Sequence, residues 1–101
     1  MRVFFIKELA EGAFIDLIDD AGGDEVVQEL ILQVKNDANI TIKGRVVDSA
    51  ELLPLSVINQ NGLAVANSIE SAGLYIVPVE GMSGVEISAE GSVSVVVKAI
   101  G

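Results

Sequence analysis

The sequence predicts an all-β protein, namely a single small antiparallel β-sandwich or jelly roll of about eight strands that spans residues 1–101. The first observation is compositional: hydrophobic residues make up 50% of the chain and aromatic residues only 4%. The core must therefore be built from Val, Ile, Leu and Ala, and β-branched side chains pack well on a pleated surface. The second observation is that short apolar segments with a period of two recur between turn residues.

Four strands are predicted in the first half of the chain. The clearest is Ile40 to Val47, where apolar and polar residues alternate as in a half-buried antiparallel strand. Val27 to Lys35 alternates in the same way after its start. Arg2 to Lys7 and Ala13 to Ile18 are shorter apolar segments, and Asn36 to Asn39 is predicted to be a tight turn.

The second half is predicted to consist of further short strands. Pro54 makes the strand from Leu52 to Ile58 an edge or irregular strand, because proline cannot donate to a β-ladder. Asn61-Gly62 predicts a hairpin turn, since both residue types tolerate positive φ. The remaining predicted strands are the return strand Leu63 to Ala66, Gly73 to Val79, and a final hairpin made of Val85 to Ala89 and Val93 to Ile100.

Two segments of the chain share one pattern. Leu32 to Val47 aligns without gaps on Val85 to Ile100, with apolar residues opposite apolar ones and turn residues opposite turn residues. We interpret both segments as β-hairpins of equal length, which a sandwich or jelly roll would use. Helix is the alternative over Phe5 to Leu17 and over Asp24 to Gln33, and we expect at most one short helical turn.

Composition also limits the classes of function. The chain has no cysteine and no histidine, which excludes disulfides, thiolate zinc sites and the usual general base at neutral pH. Fifteen acidic residues against six basic ones give a net charge of −9, which disfavours nucleic-acid binding and favours solubility. The uncharged stretch from Leu52 to Ile69 contains too many polar groups for a membrane span. No signal-peptide core follows Met1, so we expect synthesis in a host cytoplasm.

One cluster of carboxylates could bind a cation. It consists of Asp16, Asp19, Asp20, Asp24 and Glu25, and calcium prefers several oxygen ligands on a flexible loop. The spacing does not match an EF-hand, so a solvated acidic loop is the alternative that we favour. No serine lies in a nucleophile elbow and no phosphate-binding loop is present. We therefore expect no catalytic residues, no cofactor and no metal, and the chain is not predicted to be an enzyme.

The candidate functional residues lie at the start of the chain. Val3, Phe4, Phe5 and Ile6 are apolar on both faces of a predicted strand. Either this strand is buried between two layers, or it docks against a neighbouring subunit by edge pairing or by covering an apolar patch. These four residues are our candidates for a subunit interface.

The C-terminal third resembles a class of phage proteins. From Ser68 onward the sequence reads SIESAGLYIVPVEGMSGVEISAEGSVSVVVKAIG, which is similar to the C-terminal pattern of small phage virion proteins of the capsid-decoration or head-fibre type. Ile42-Lys43-Gly44 and Pro54-Leu55 are more loosely similar to the middle of such proteins, and Pro78 departs from the pattern. The matching positions are Gly73, Tyr75, Val77, Val79, Gly81, Val85, Ile87, Gly91, Val93 and Val95.

The resemblance implies a structural role in a virion. It implies a non-enzymatic protein that decorates or cements the outer capsid surface, binds the major capsid protein or other virion proteins, and forms a homo-oligomer, with a trimer favoured. The alternative is a module of the tail, baseplate or fibre that contacts the host surface. A free-standing sugar-binding or small hydrolytic domain would need an aromatic platform or an acid pair in a cleft, and the aromatic content argues against it.

Overall fold

The computed structural model describes residues 2–20, 22, 26–59, 62, 64–65 and 68–101, with only the backbone described at 64–65. All regular structure in these residues is β-strand, and neither segment considered for a helix contains one where it is described. The strands are β1 (Val3–Leu9), β2 (Ala13–Asp16), β3 (Glu29–Val34), β4 (Asn39–Arg45), β5 (Leu53–Pro54), β6 (Val57–Asn59), β7 (Ala64–Val65), β8 (Ser68–Ile69), β9 (Gly73–Pro78), β10 (Gly84–Glu90) and β11 (Val95–Ile100).

The strands form two sheets that enclose one core. The six-stranded sheet has the order β1-β11-β3-β9-β6-β7, and the five-stranded sheet has the order β2-β10-β4-β5, with β8 also paired to β4. All pairs are antiparallel. The predicted fold class, a small antiparallel β-sandwich, is confirmed.

The order of pairing along the chain is that of a jelly roll. β1 pairs with β11, β2 with β10, β3 with β9, and β4 with the short β5 and β8. Successive pairs lie alternately in the six-stranded and the five-stranded sheet, as if one long two-stranded ribbon were wrapped around the core. The chain has more strands than we predicted because the stretch between β4 and β9 is divided into several short strands.

The two segments predicted to be hairpins are not hairpins. β3 lies in the six-stranded sheet and β4 in the five-stranded sheet, and β10 and β11 are divided in the same way. Each segment is therefore an arch that crosses from one sheet to the other. The arches pair with each other, β3 with β11 and β4 with β10.

Hydrogen bonds between the two arch connections explain this correction. The Lys35 backbone N–H donates to the Ser94 carbonyl (2.8 Å), and the Ser94 N–H donates to Oδ1 of Asn36 (2.8 Å). Each connection thus forms hydrogen bonds with polar groups of the other. The arch also lets Val34 and Ile40, which are 2% and 0% exposed, meet the core from opposite layers.

The segment around Pro54 also differs from expectation. Leu52 to Ile58 was predicted as one strand, but β5 belongs to the five-stranded sheet and β6 to the other. The prediction of an edge position is confirmed, since β5 is the last strand in its order. The predicted hairpin is present as β6 and β7, with Gly62 at φ 79°. Asn61, Leu63 and Ala66 lie outside the described residues.

The core is aliphatic, as the composition predicts. Its fully buried side chains come from both sheets and include Leu30 and Leu32 on β3, Ile42 on β4, and Val97 on β11. Tyr75 is the buried aromatic residue, and its hydroxyl donates to the Ser71 carbonyl at 2.7 Å. Inward positions are thus fully used by packing, which leaves the outer faces and the loops for function.

Candidate interaction surface

The predicted interface residues lie on an edge strand. β1 is the first strand of the six-stranded sheet and pairs with β11 on one side only. The register shifts between Val3 and Phe5, so that Phe4 forms an irregularity in the ladder. This irregularity lies where the strand begins, and regular pairing continues from Phe5 to Leu9.

The four residues divide into two environments. Val3 and Ile6 are 43% and 60% exposed, whereas Phe4 and Phe5 are half-buried and pack against the core. Burial between two layers, the first of our two alternatives, is therefore wrong for Val3 and Ile6. The role of the four residues as a subunit interface stays a prediction.

Local contacts fix the aromatic rings of β1. The Phe4 ring lies over Gly101, where an added Cβ would come within 2.6 Å of the ring. The Arg2 guanidinium is 5.2 Å from the Phe4 centroid. Lys7 Nζ is 5.2 Å from the Phe5 centroid and 2.9 Å from Oδ2 of Asp20, which ties the strand to the β2–β3 loop.

Across the six-stranded sheet, the outward position of Ile6 begins a row of mostly apolar side chains. Cross-strand neighbours in this row follow the order Ile6, Lys98, Ile31, Ile76 and Ile58, so it crosses β1, β11, β3, β9 and β6. The three central members, on β11, β3 and β9, each lie between two buried core residues along their own strand, whereas the residues on either side of Ile6 are half-buried. We call this row the isoleucine row.

A second row beside it extends the apolar surface. It runs through Glu8, Val96, Gln33 and Leu74. Leu74 is 46% exposed and Val96 is half-buried. The outward residues of a solvated antiparallel sheet are ordinarily polar. The outer face of the six-stranded sheet is therefore more apolar than is usual for a face in contact with water.

The other sheet has a polar outer face. One of its rows consists of Ser88, Thr41 and Ser68. Another begins with Phe14 and continues through Glu86, Lys43 and Pro54. The two faces thus differ sharply.

The one aromatic side chain of the polar face is held by its neighbours. The Phe14 ring packs directly on Gly84, where an added Cβ would overlap the ring. The guanidinium carbon of Arg45 is 4.7 Å from the ring centroid. These contacts give Phe14 a packing role although it is 44% exposed.

The acidic cluster is partly engaged in local contacts. Asp16 Oδ1 accepts the backbone N–H groups of Ile18 (3.0 Å) and Asp19 (2.9 Å), and Asp20 is paired with Lys7. Asp24 and Glu25 lie outside the described residues. Within the described ranges, no three acidic side chains are grouped so that they could hold a metal ion. No helix long and apolar enough to span a membrane occurs there either.

Comparison with known proteins gives one structural match of interest. No protein-family model and no curated protein sequence matches the chain. The chain shares its fold with the SPBc2 prophage-derived protein YomS. The crystal structure of YomS superimposes with a TM-score of 0.67 over 99% of this chain and 90% of the YomS chain, at 13% sequence identity. At this identity the likeness shows a common fold, and the outer-face residues must be interpreted from this chain alone.

The isoleucine row is the feature that sequence reasoning missed. Leu74 to Val77 is an uninterrupted apolar segment, and nothing in the sequence marks its outward residues Leu74 and Ile76 as part of a larger surface. The outward residues of five strands become one surface only when the register is known. The sequence feature that indicates this surface is the presence of apolar residues on both faces of β3 and β9.

Proposed function

We propose that the chain is a non-enzymatic structural protein of a phage particle, which decorates or cements the capsid or forms part of a head fibre. In this role it binds the major capsid protein or another virion protein and acts as a homo-oligomer, for which a trimer is favoured. Two observations support a phage origin: the fold shared with the prophage-derived YomS and the C-terminal resemblance to phage virion proteins.

The observation that carries the proposal is the apolar outer face of the six-stranded sheet together with the edge strand β1. Soluble monomers rarely expose a contiguous apolar surface of this kind without using it. Ile6 joins the two features because it belongs to the unpaired edge strand and begins the isoleucine row. A second copy that covers Ile6, Ile31 and Leu74 would bury apolar area, and its β1 could also satisfy the free edge of the sheet.

A host-binding module of the tail or baseplate is less well supported. Such a module is expected to present exposed aromatic side chains. Of the four aromatic residues in the chain, only Phe14 is among the exposed large side chains, and it is packed on Gly84 and under Arg45.

Self-association can be tested by light scattering after size-exclusion chromatography. The wild type is expected to elute as an oligomer, and Ile6→Lys is expected to shift it to monomer, because a charge would be buried where the edge strand meets the apolar face. Thr41→Lys is the matched control, since it adds the same charge to the outer face of the other sheet. A monomeric wild type, or equal effects of both variants, would contradict the proposed interface.

Particle binding is the decisive test of the function. Particles of the phage that encodes the chain would be prepared without this protein and separated into heads and tails. Purified protein is expected to co-sediment with heads and to reach saturation at a fixed ratio to the major capsid protein. Binding to tails alone would favour the tail or baseplate role, and binding to neither fraction would refute a place in the particle.

A further inference from the structure

At one end of the sandwich, three loops come together around two adjoining hollows. The loops connect β2 to β3, β4 to β5, and β9 to β10. One hollow, of about 220 Å³, is lined by residues that include Ile18, Val26 and Val46. The other, of about 230 Å³, is lined by residues that include Leu53 and Leu55. Val46 and Met82 line both hollows, which therefore form one continuous surface that we call the loop-end saddle.

The loop-end saddle is apolar and accessible. Ile18 is 45% exposed, Val26 58%, Val46 63% and Leu53 60%. Among the described residues, five large apolar side chains outside β1, β2 and β9 are exposed, and four of these five line the loop-end saddle. Val46 is the most exposed of these four residues, and Met82, the other residue shared by the two hollows, is half-buried.

The rim of the loop-end saddle carries negative charge. Glu51 lines the second hollow, and Asp19 and Glu80 are exposed and adjoin residues that line the first hollow. Arg45 also lines this hollow, but its guanidinium is engaged with the Phe14 ring and lies 3.9 Å from Oδ1 of Asp48. The exposed charge around the apolar centre is thus acidic, in keeping with the net charge of −9.

We propose that the loop-end saddle docks a protein surface that has an apolar centre and a rim of Lys and Arg. The apolar centre of the partner would cover Val46 and fill the hollows, and its cations would face the carboxylates of the rim, which favours encounter and excludes acidic partners. This inference deepens the proposed function. It rests on that function only in identifying the partner as a protein of the phage particle. The outer face of the six-stranded sheet would serve the second copy, and the loop-end saddle would serve the particle.

The chemistry of this surface can be tested on the isolated protein. A short peptide of alternating Leu and Lys would be titrated into the isotopically labelled protein, and amide chemical shifts would be followed by NMR. Shifts are expected around Val46, Leu53 and Met82, with an affinity that falls as salt is raised. A peptide in which Ser replaces every Leu serves as the control for charge alone and is expected to leave these amides unmoved.

Two aspartate substitutions separate an effect at the loop-end saddle from the effect of an added negative charge elsewhere. Val46→Asp is expected to weaken peptide binding by about tenfold or more, because it charges the centre of the contact. Thr41→Asp makes the same change in net charge on the outer face of the five-stranded sheet, to which no partner is assigned, and is expected to bind like wild type. Peptide shifts centred on the isoleucine row, or equal losses in the two variants, would overturn the inference.

Binding of the same two variants to particles distinguishes this inference from the proposed function. Loss of head binding in Val46→Asp with retention in Thr41→Asp would support both. Head binding that survives Val46→Asp would overturn the loop-end saddle as the docking surface and leave the structural role standing. If wild type binds the peptide at the loop-end saddle but binds no particle fraction, the proposed function fails and the surface chemistry holds.

Discussion

The pairing of the two arches can be tested with a disulfide, because the chain has no cysteine of its own. Val34 and Val95 are direct partners on β3 and β11, and both are buried in the core. The flanking bond from Lys35 N–H to Ser94 O makes this a non-hydrogen-bonded pair, in which Cα atoms are about 4.5 Å apart. That distance is within the range that a disulfide spans, about 4.4–6.8 Å. The variant Val34→Cys/Val95→Cys is therefore expected to oxidise readily.

The expected stabilisation follows from the length of the closed loop. A cross-link over about sixty residues removes loop entropy that corresponds to about 4 kcal/mol, and strain commonly reduces this to about 2–4 kcal/mol. For a chain of this size the melting temperature should rise by roughly 10–30 °C on oxidation. Calorimetry of the same variant before and after reduction measures this rise, because the cost of the two substitutions then cancels.

Two further cysteine pairs serve as controls. Val34→Cys/Val97→Cys places the cysteines on diagonal positions, with Cα atoms about 7–8 Å apart, where a bridge would require the backbone to move. Val34→Cys/Thr41→Cys would be bridged if β3 and β4 formed a hairpin, but the two strands lie in different sheets. Ready oxidation of the Thr41 pair, with failure of the Val95 pair, would refute the arch.

Three other predictions concern packing and charge. Leu32→Ala should lower the free energy of unfolding by about 2–5 kcal/mol, since this side chain is fully buried. Ile31→Ala on the outer face should lower it by about 1 kcal/mol or less. Equal losses for the two variants in urea titrations of the monomer would contradict the assigned faces. Gly84→Ala should cost about 1–3 kcal/mol, because the added methyl group meets the Phe14 ring, and the cost should shrink in a Phe14→Ala background if that contact is the cause. Asp20→Asn removes a partly exposed ion pair and should cost about 1 kcal/mol or less, with the difference reduced at high salt; a larger loss in thermal melts would mean that this loop has further roles.

The strands could be predicted from the sequence, but most of their partners could not. Period-two alternation indicates the inward orientation of Ile40 and Ile42 on one strand and of Tyr75, Val77 and Val79 on another, and all five are buried. The alternation continues to Val46, but β4 ends at Arg45 and Val46 is exposed. The connections at Asn36 and Gly91 look like hairpin turns, since turn residues separate two alternating strands in hairpins and arches alike. In the structure the two arch connections are joined by the long-range bond from Ser94 to Asn36, and the local sequence does not encode this bond.

The candidate surface could be predicted only at its edge. Val3 and Ile6 were found because a strand with two apolar faces is conspicuous at the start of a short chain. Ile31 and Ile76 were not, since each lies between core residues and cannot be told from them without knowing which way the strand faces. The loop-end saddle is harder still, because Val26, Val46 and Met82 come from three loops that only the tertiary fold brings together.

The internal similarity of the chain has a structural explanation that requires no ancestral duplication. In the alignment of Leu32 to Val47 on Val85 to Ile100, the cross-strand pair Val34–Val95 corresponds to the pair Ile87–Ile42. The pair Leu32–Val97 corresponds in the same way to the pair Val85–Gly44. Two arches that wrap the same core in one continuous register must turn their inward residues in phase, so their apolar patterns match even where no residue is identical. The same constraint accounts for the C-terminal resemblance to phage virion proteins, because Tyr75, Val77, Val85, Ile87, Val93 and Val95 are all buried core positions. A pattern made of core positions can specify how the ribbon wraps but cannot specify what the protein binds. Specificity for a partner must therefore lie in residues that the pattern leaves free. These include the outward residues of the six-stranded sheet and the loops around Val46, where we propose the two contacts.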